Sequence, residues 1–313
     1  MENRLICICG PTASGKTALS IALARQLHTE IISADSMQIY RELDIGTAKP
    51  TPDEQAQAVH HMIDFLDPRE SFSVARYVEL ADACAQDILA RGMTPIVVGG
   101  TGLYLDALVR CDAFSGDETD RTIRARYQRM AEEQGREAVH ERLRAVDPAS
   151  AARLHPNNLK RVIRALEVFE QTGMTIDAFN EQNKRRAPKY RAVKFALCPR
   201  SRELLYERID RRVDQMLADG LLEETRRLYE EGKLVGTAAQ AIGYKELTDY
   251  LFCGGTLEES IALLKQRSRN YAKRQLTWFK RDPEIHWLYY DSPDELPGLL
   301  QSSTHILRSA GIE

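Results

Sequence analysis

The chain has 313 residues, 43 basic and 46 acidic side chains for a net charge of −3, with 43% hydrophobic and 28% charged residues. This composition excludes a disordered chain, a collagen-like repeat and a small disulfide scaffold, and the length suits about two domains. Taken as an average, the weakly acidic balance also speaks against a nucleic-acid binder, since such domains are often strongly basic.

Residues 5–9 (LICIC) form a short unbroken apolar run, the mark of a buried parallel strand. A glycine turn follows, and residues 16–27 carry apolar side chains at helical spacing. A second strand is expected over 30–33, ending at Ala34-Asp35. Residues 74–91 read as a helix, and 95–98 as a third strand ending in Gly99-Gly100-Thr101-Gly102, with a helix from Leu103. Residues 113–190 hold no convincing strand; charged helical segments are expected over 119–134, 136–146 and 158–171. Strands over 193–198 and 285–289, and long helices over 203–231 and 257–280, complete the pattern. Alternating strands and helices predict an α/β fold with a parallel sheet flanked by helices, a P-loop NTPase-like core, plus an all-helical insertion. The expected divisions are 1–112 for the first part of the core, 113–190 for the insertion, and 191–313 for the second part.

The six cysteines lie at 7, 9, 84, 111, 198 and 253 and form no Cys-x-x-Cys pair, as expected of reduced thiols in a cytoplasmic protein. No signal peptide is visible, and no apolar run reaches the roughly 18 residues that span a bilayer. His60 and His61 resemble a metal pair, but adjacent residues converge poorly on one ion, so hydrogen bonding near Asp64 is the expectation. Asp44 reads as a loop acid.

Gly10-Pro11-Thr12-Ala13-Ser14-Gly15-Lys16-Thr17 fits G-x-x-x-x-G-K-[ST], with a strand before it and a helix after it. In such a loop, backbone N–H groups turn inward around phosphate oxygens, and the helix N-terminus adds partial positive charge. Lys16 supplies a mobile cation, and the Thr17 hydroxyl can ligate Mg²⁺. ATP is the usual ligand, but the strand at 96–98 ends in no Walker-B acid, so the loop can equally hold another leaving group. Arg208 and Arg212 lie four apart on one helix face, where either could reach a diphosphate or simply meet solvent.

The stretch IISADSMQIYRELDIGTAKP (31–50), together with GPTASGKT, resembles the tRNA dimethylallyltransferases, also called tRNA isopentenyltransferases. Matching segments are HHMID (60–64), VVGGTGLYL (97–105), NLKRVIRALE (158–167), AIGYKE (241–246) and RNYAKRQLTWF (269–279). The missing Cys-x-x-Cys near the C-terminus is similar to the compact bacterial form rather than the zinc-finger-bearing eukaryotic one. The resemblance implies transfer of the dimethylallyl group from dimethylallyl diphosphate to N6 of adenosine 37 beside the tRNA anticodon, so the loop holds diphosphate rather than ATP. It assigns Asp35 the general-base role, with a partner of Mg²⁺ as the alternative, and places Thr101 near the amine and the diphosphate, where the bland alternative is a helix N-cap. It implies contacts to the anticodon stem-loop from Asp35, Ser36, Met37 and Gln38, and from Lys160, Arg161, Val162, Ile163 and Arg164. Ala241, Ile242, Gly243, Tyr244, Lys245 and Glu246 complete that set. Mg²⁺ is the expected cofactor, and a monomer that does not meet the membrane is expected.

Charge counted by region agrees with an RNA partner. Residues 282–313 hold six acids and one arginine, whereas three acid-free runs (153–164, 184–194 and 265–281) hold four, six and seven basic residues. Such runs supply phosphate affinity, and the interleaved Tyr271, Trp278 and Phe279 could stack on bases, although the last two are more often core. A P-loop small-molecule kinase, an adenylate isopentenyltransferase and a non-catalytic RNA binder remain as alternatives.

Overall fold

The structure is a computed structural model that describes residues 3–111 and 118–312. The described residues form two compact units, one from 3–111 with 189–312 and the other from 118–188.

The first unit is built on a six-stranded, fully parallel sheet. Chain order runs β1 (Arg4–Cys9), α1 (Lys16–Gln26), β2 (Ile31–Ser33), α2 (Pro52–Gln57), β3 (His60–His61), α3 (Val74–Ala90), β4 (Ile96–Val98) and α4 (Gly102–Arg110). The spatial order of the sheet is β3-β2-β4-β1-β5-β6, where β5 is Arg191–Cys198 and β6 is Ile285–Tyr289. β1 is central, paired with β4 and β5, and its Leu5, Ile6 and Ile8 are fully buried. That burial on both faces is why the strand reads as continuous apolar sequence. Leu19, Leu23, Phe195, Leu197 and Leu307 pack around it.

Helices α10 (Arg202–Ala218), α11 (Leu221–Glu230), α12 (Tyr244–Cys253) and α13 (Leu257–Phe279) follow β5, and α14 (Leu296–Ser309) follows β6. The single helix expected over 203–231 is two, because Gly220 takes a left-handed φ of 102° that an α-helix cannot continue through. A second apolar cluster joins Ile39, Tyr40 and Leu43 to Val213, Leu221, Leu228, Tyr244, Leu247 and Leu264. The segment after β2 is thereby packed onto α10–α13.

The second unit is helical: α5 (Glu118–Gln134), α6 (Arg136–Val146), α7 (Pro148–Arg153), α8 (Leu159–Thr172) and α9 (Ile176–Arg185). Its core holds Ile123, Tyr127, Val139, Leu143, Val162, Ile163 and Leu166. The sequence boundary at 112–113 lies outside the described residues. The boundary at 190 falls two residues late: Lys189 Nζ and Tyr190 Oη both donate to Asp82 Oδ1 of α3, at 2.6 Å each, and so belong with the sheet. No helix among the described residues is long and apolar enough to cross a membrane.

Candidate active site

A cavity of about 400 Å³ opens where the loops after β1, β2 and β4 meet α10 and α13. This is the carboxyl end of the parallel strands, where open α/β sheets bind ligands. Its lining includes the phosphate loop from Thr12 to Thr17, Asp35 to Gln38, Gly99 and Gly100. Arg212, Ile209, Val213 and Met216 line it from α10, and Leu264 from α13. Charged and polar groups therefore share one chamber with an aliphatic wall.

The phosphate loop holds its shape through named contacts. Gly15 has φ 76°, and a Cβ there would fall 2.3 Å from the Tyr290 hydroxyl, so only glycine fits. That hydroxyl donates to Ser14 O at 2.6 Å. Lys16 Nζ donates to Pro11 O at 2.7 Å, folded back on its own loop. Burial pulls the Lys16 pKa down to about 8, with Arg212 adding repulsion and Asp35 opposing it. Burial likewise pulls Arg212 down, against the attraction of Asp35. The two cations and one carboxylate are close enough to sense one another.

Asp35 Oδ1 accepts N–H bonds from Met37 at 2.8 Å and Gln38 at 3.4 Å, which turns the chain immediately after β2. Gln38 Nε2 donates to Thr47 O and Ala48 O, while its Oε1 accepts from Ser33 Oγ. The amide expected to read the base is engaged with the protein's own loop.

Thr101 occupies the N-cap position of α4 but caps nothing with its side chain. Its Oγ1 accepts the Ser36 N–H at 3.3 Å and lies in hydrogen-bonding reach of Tyr271, tying the loop after β4 to the Asp35 segment.

Arg208 and Arg212 are separated by the fold. Arg212 lines the cavity. Arg208 does not; it donates to Asp291 O at 2.6 Å and lies 4.6 Å from the Tyr290 ring centre, behind the phosphate loop.

Several expected tRNA contacts need correction. The Val162 and Ile163 side chains are buried in the helical unit's core, leaving Lys160 and Arg161 exposed and Arg164 half-exposed in that segment. Tyr244 and Glu246 are buried as well. Tyr244 donates to Glu224, and Glu246 Oε2 accepts the Gly243 N–H at 2.8 Å. Ala241, Ile242 and Gly243 face the cavity, and Lys245 is half-buried.

In the run 265–281, Lys265 pairs with Asp214, Arg267 with Glu246 and Arg269 with Asp210, so those charges are partly answered within the protein. Trp278 donates to Asp106 Oδ2 at 2.8 Å and Phe279 is buried; both are packing residues. His61 bonds Glu30 and His60 bonds Ala58 O, while Asp64 and Asp44 both pair with Lys49. No group of three or more metal-capable His, Cys, Asp or Glu occurs among the described residues. Burial pushes the Cys7 thiol up to about 12, so it stays protonated.

Sequence reasoning missed Gln275, Arg274 and Ser268 and named Tyr271 only as a stacking ring; all four are on α13 and face the cavity. The signal lay in the segment 269–279, where the Gln275 amide stands directly after Lys273 and Arg274.

Central phosphate loop, carboxylate after β2 and aliphatic wall define a P-loop α/β protein with the makings of a group-transfer enzyme. Family profiles described as IPP transferase and isopentenyl transferase match residues 38–282 and 3–67. The chain is 49% identical over 295 residues to the tRNA dimethylallyltransferase of Geobacillus thermodenitrificans, covering 94% of this chain and 93% of that one. It is similar to the crystal structure of the full-length tRNA isopentenylpyrophosphate transferase from Bacillus halodurans, with TM-score 0.72, 42% identity and 98% of both chains covered. It also resembles a eukaryotic dimethylallyltransferase acting on tRNA, with TM-score 0.77 and 32% identity over 91% of this chain and 73% of that one. The chain belongs to the tRNA dimethylallyltransferase family, and it is an enzyme of the prenyltransferase kind.

Proposed function

We propose that the protein transfers the dimethylallyl group of dimethylallyl diphosphate to N6 of adenosine 37 beside a tRNA anticodon. In this reaction the N6–carbon bond forms as the allylic carbon–oxygen bond breaks. The bonding pair leaves with diphosphate, and the displaced N6 proton passes to Asp35. The observation that carries this reading is the single cavity in which the phosphate loop, Arg212 and Asp35 meet the aliphatic wall of Ile209, Val213, Met216 and Leu264. The charged end suits a diphosphate, and the wall suits a five-carbon chain.

The exocyclic amine is a poor nucleophile, because its lone pair is delocalised into the ring. A carboxylate that takes its proton contributes typically about 10²–10⁴-fold. Asp35 Oδ1 is held by backbone N–H groups, which leaves Oδ2 for that task. Loop amides, Lys16 and Arg212 neutralise the leaving diphosphate in a partly dry site, where such charges act strongly. Thr101 orients the amine. The hard hydroxyl oxygen of Thr17 suits Mg²⁺, with the diphosphate itself supplying further ligands. Bound there, Mg²⁺ would add positive charge over the departing oxygens.

Lys160, Arg161 and Arg164 present cations for phosphates of the anticodon stem-loop, consistent with the acid-free run they lie in. A cytoplasmic location follows from that substrate.

The test is incubation with labelled dimethylallyl diphosphate, Mg²⁺ and either unmodified tRNA or AMP, without ATP. Label in tRNA at adenosine 37 and none in AMP is expected. Label in AMP but not in tRNA would overturn the reading. Asp35→Ala should retain tRNA binding and lose turnover by about 10²-fold or more.

A further inference from the structure

α11 carries a carboxylate that this chemistry does not use. Glu224 is only 8% exposed, in the first turn of the helix. The backbone N–H groups of Asp44 at 3.3 Å, Ile45 at 3.1 Å and Gly46 at 3.3 Å converge on its two oxygens. The Tyr244 hydroxyl donates to it as well, and Gly46 N–H donates to that hydroxyl at 3.1 Å. Successive amides pointing at one anion form a nest; here the protein supplies its own anion. Loop and ring are also in close contact, since a Cβ on Gly46 would fall 2.5 Å from the Tyr244 ring.

Both partners of Glu224 adjoin walls of the cavity, which Gly46, Thr47, Ala48 and residues 241–243 line. The loop it holds continues into Thr47 and Ala48, whose carbonyls accept the Gln38 amide. Tyr244 begins α12 directly after Ala241, Ile242 and Gly243, which line the same cavity. The diphosphate end is built from other elements: the loop after β1, α10 and α13.

We propose that Glu224 is a positioning residue for the base-receiving half of the site. It locks the 44–48 loop to α12, so that Gln38 and residues 241–243 keep one relative geometry as the target base enters. This rests on reading the cavity as the transferase site.

The distinguishing readout is a split between the two substrates. Glu224→Gln keeps the shape but turns an NH₂ group toward amides that already donate. We expect kcat/KM for an anticodon stem-loop RNA to fall by about tenfold or more, while KM for dimethylallyl diphosphate stays within about twofold. Tyr244→Phe keeps the carboxylate–amide bonds and should show the same split at smaller amplitude; it also decides the matter if Glu224→Gln does not fold. An unchanged kcat/KM for RNA in the folded variants, or an equal loss for both substrates, overturns the proposal. Wild-type protein inactive on the RNA would instead overturn the transferase reading on which it stands.

Discussion

Gln275, on α13, accepts the backbone N–H of Thr12 on its side-chain oxygen at 2.9 Å. Its Nε2 donates to Gly100 O at 3.0 Å, so one buried carboxamide ties the phosphate loop after β1 to the loop after β4. Tyr271, one turn earlier, reaches both Gln275 and Thr101, and Thr101 accepts from Ser36. A continuous line of hydrogen bonds therefore joins the diphosphate end to the Asp35 segment. Gln275→Leu leaves the half-buried Thr12 N–H and the buried Gly100 C=O unanswered, a loss of about 1–3 kcal/mol for the buried carbonyl and less for the amide. The expected outcome is a fall of about tenfold to a hundredfold in kcat/KM for dimethylallyl diphosphate. Gly100→Ala reaches the same link from the other side, because its Cβ would fall 2.1 Å from Gln275 Nε2. Combined with Gln275→Ala, that substitution should cost less than it does alone, a non-additivity that a double-mutant cycle measures. Strict additivity would argue that the two residues do not act through each other.

Lys16 gives the site a pH dependence with a definite sign. Burial and Arg212 hold its pKa down to about 8, so the free enzyme loses this cation as pH rises through that value. A bound diphosphate favours the charged form and raises the pKa again. KM for dimethylallyl diphosphate should therefore climb as pH passes about 8, and binding near that pH should take up protons from buffer. Steady-state kinetics between about pH 7 and 9.5, with calorimetry in two buffers of different ionisation enthalpy, checks both. A KM flat across that range, without proton uptake, would remove Lys16 from diphosphate binding.

Much of this arrangement was legible in the sequence, and the reasons are physical. β1 and its glycine turn announce themselves because a fully buried strand must be continuously apolar and a phosphate loop must be glycine-rich. β3 was not legible: two residues, His60 and His61, are too short to display any period. The family resemblance implies RNA contacts at Val162 and Ile163, yet adjacent apolar residues between Lys160 and Arg164 are what an inward helix face looks like. Gln275 was hidden because an amide acts here by burial and reach, properties that only tertiary packing creates.

Arg208 and Arg212 share a helix face by spacing, and only packing assigns their roles. Arg212 lines the cavity, while Arg208 lies against Tyr290 and Asp291. Arg212→Ala should lower kcat/KM for dimethylallyl diphosphate by about a hundredfold or more, since it removes a charge that a departing diphosphate needs. Arg208→Ala should cost less than about tenfold, acting only through Tyr290 and its bond to Ser14 O. Equal losses in the two variants would show that both guanidinium groups reach the diphosphate.

The β2–β3 edge carries a charge network whose contribution to stability depends on pH. His61 lies 2.7 Å from Glu30 Oε2, and Arg91 forks onto the same carboxylate. The Cys84 sulfur and Glu30 together raise the His61 pKa from 6.5 to about 9, against its partial burial. A group whose folded pKa is raised stabilises fully below its unfolded value and loses that contribution as pH climbs to the folded one. The window here runs from about 6.5 to about 9. With the side chain 28% exposed, solvent screening leaves about 1 kcal/mol of the larger figure that the shift alone implies. His61→Gln should thus lower the melting temperature by a few degrees near pH 6 and by much less near pH 10. Thermal denaturation of both proteins across that range is the measurement, and a gap that is constant or widens with pH contradicts a protonated His61.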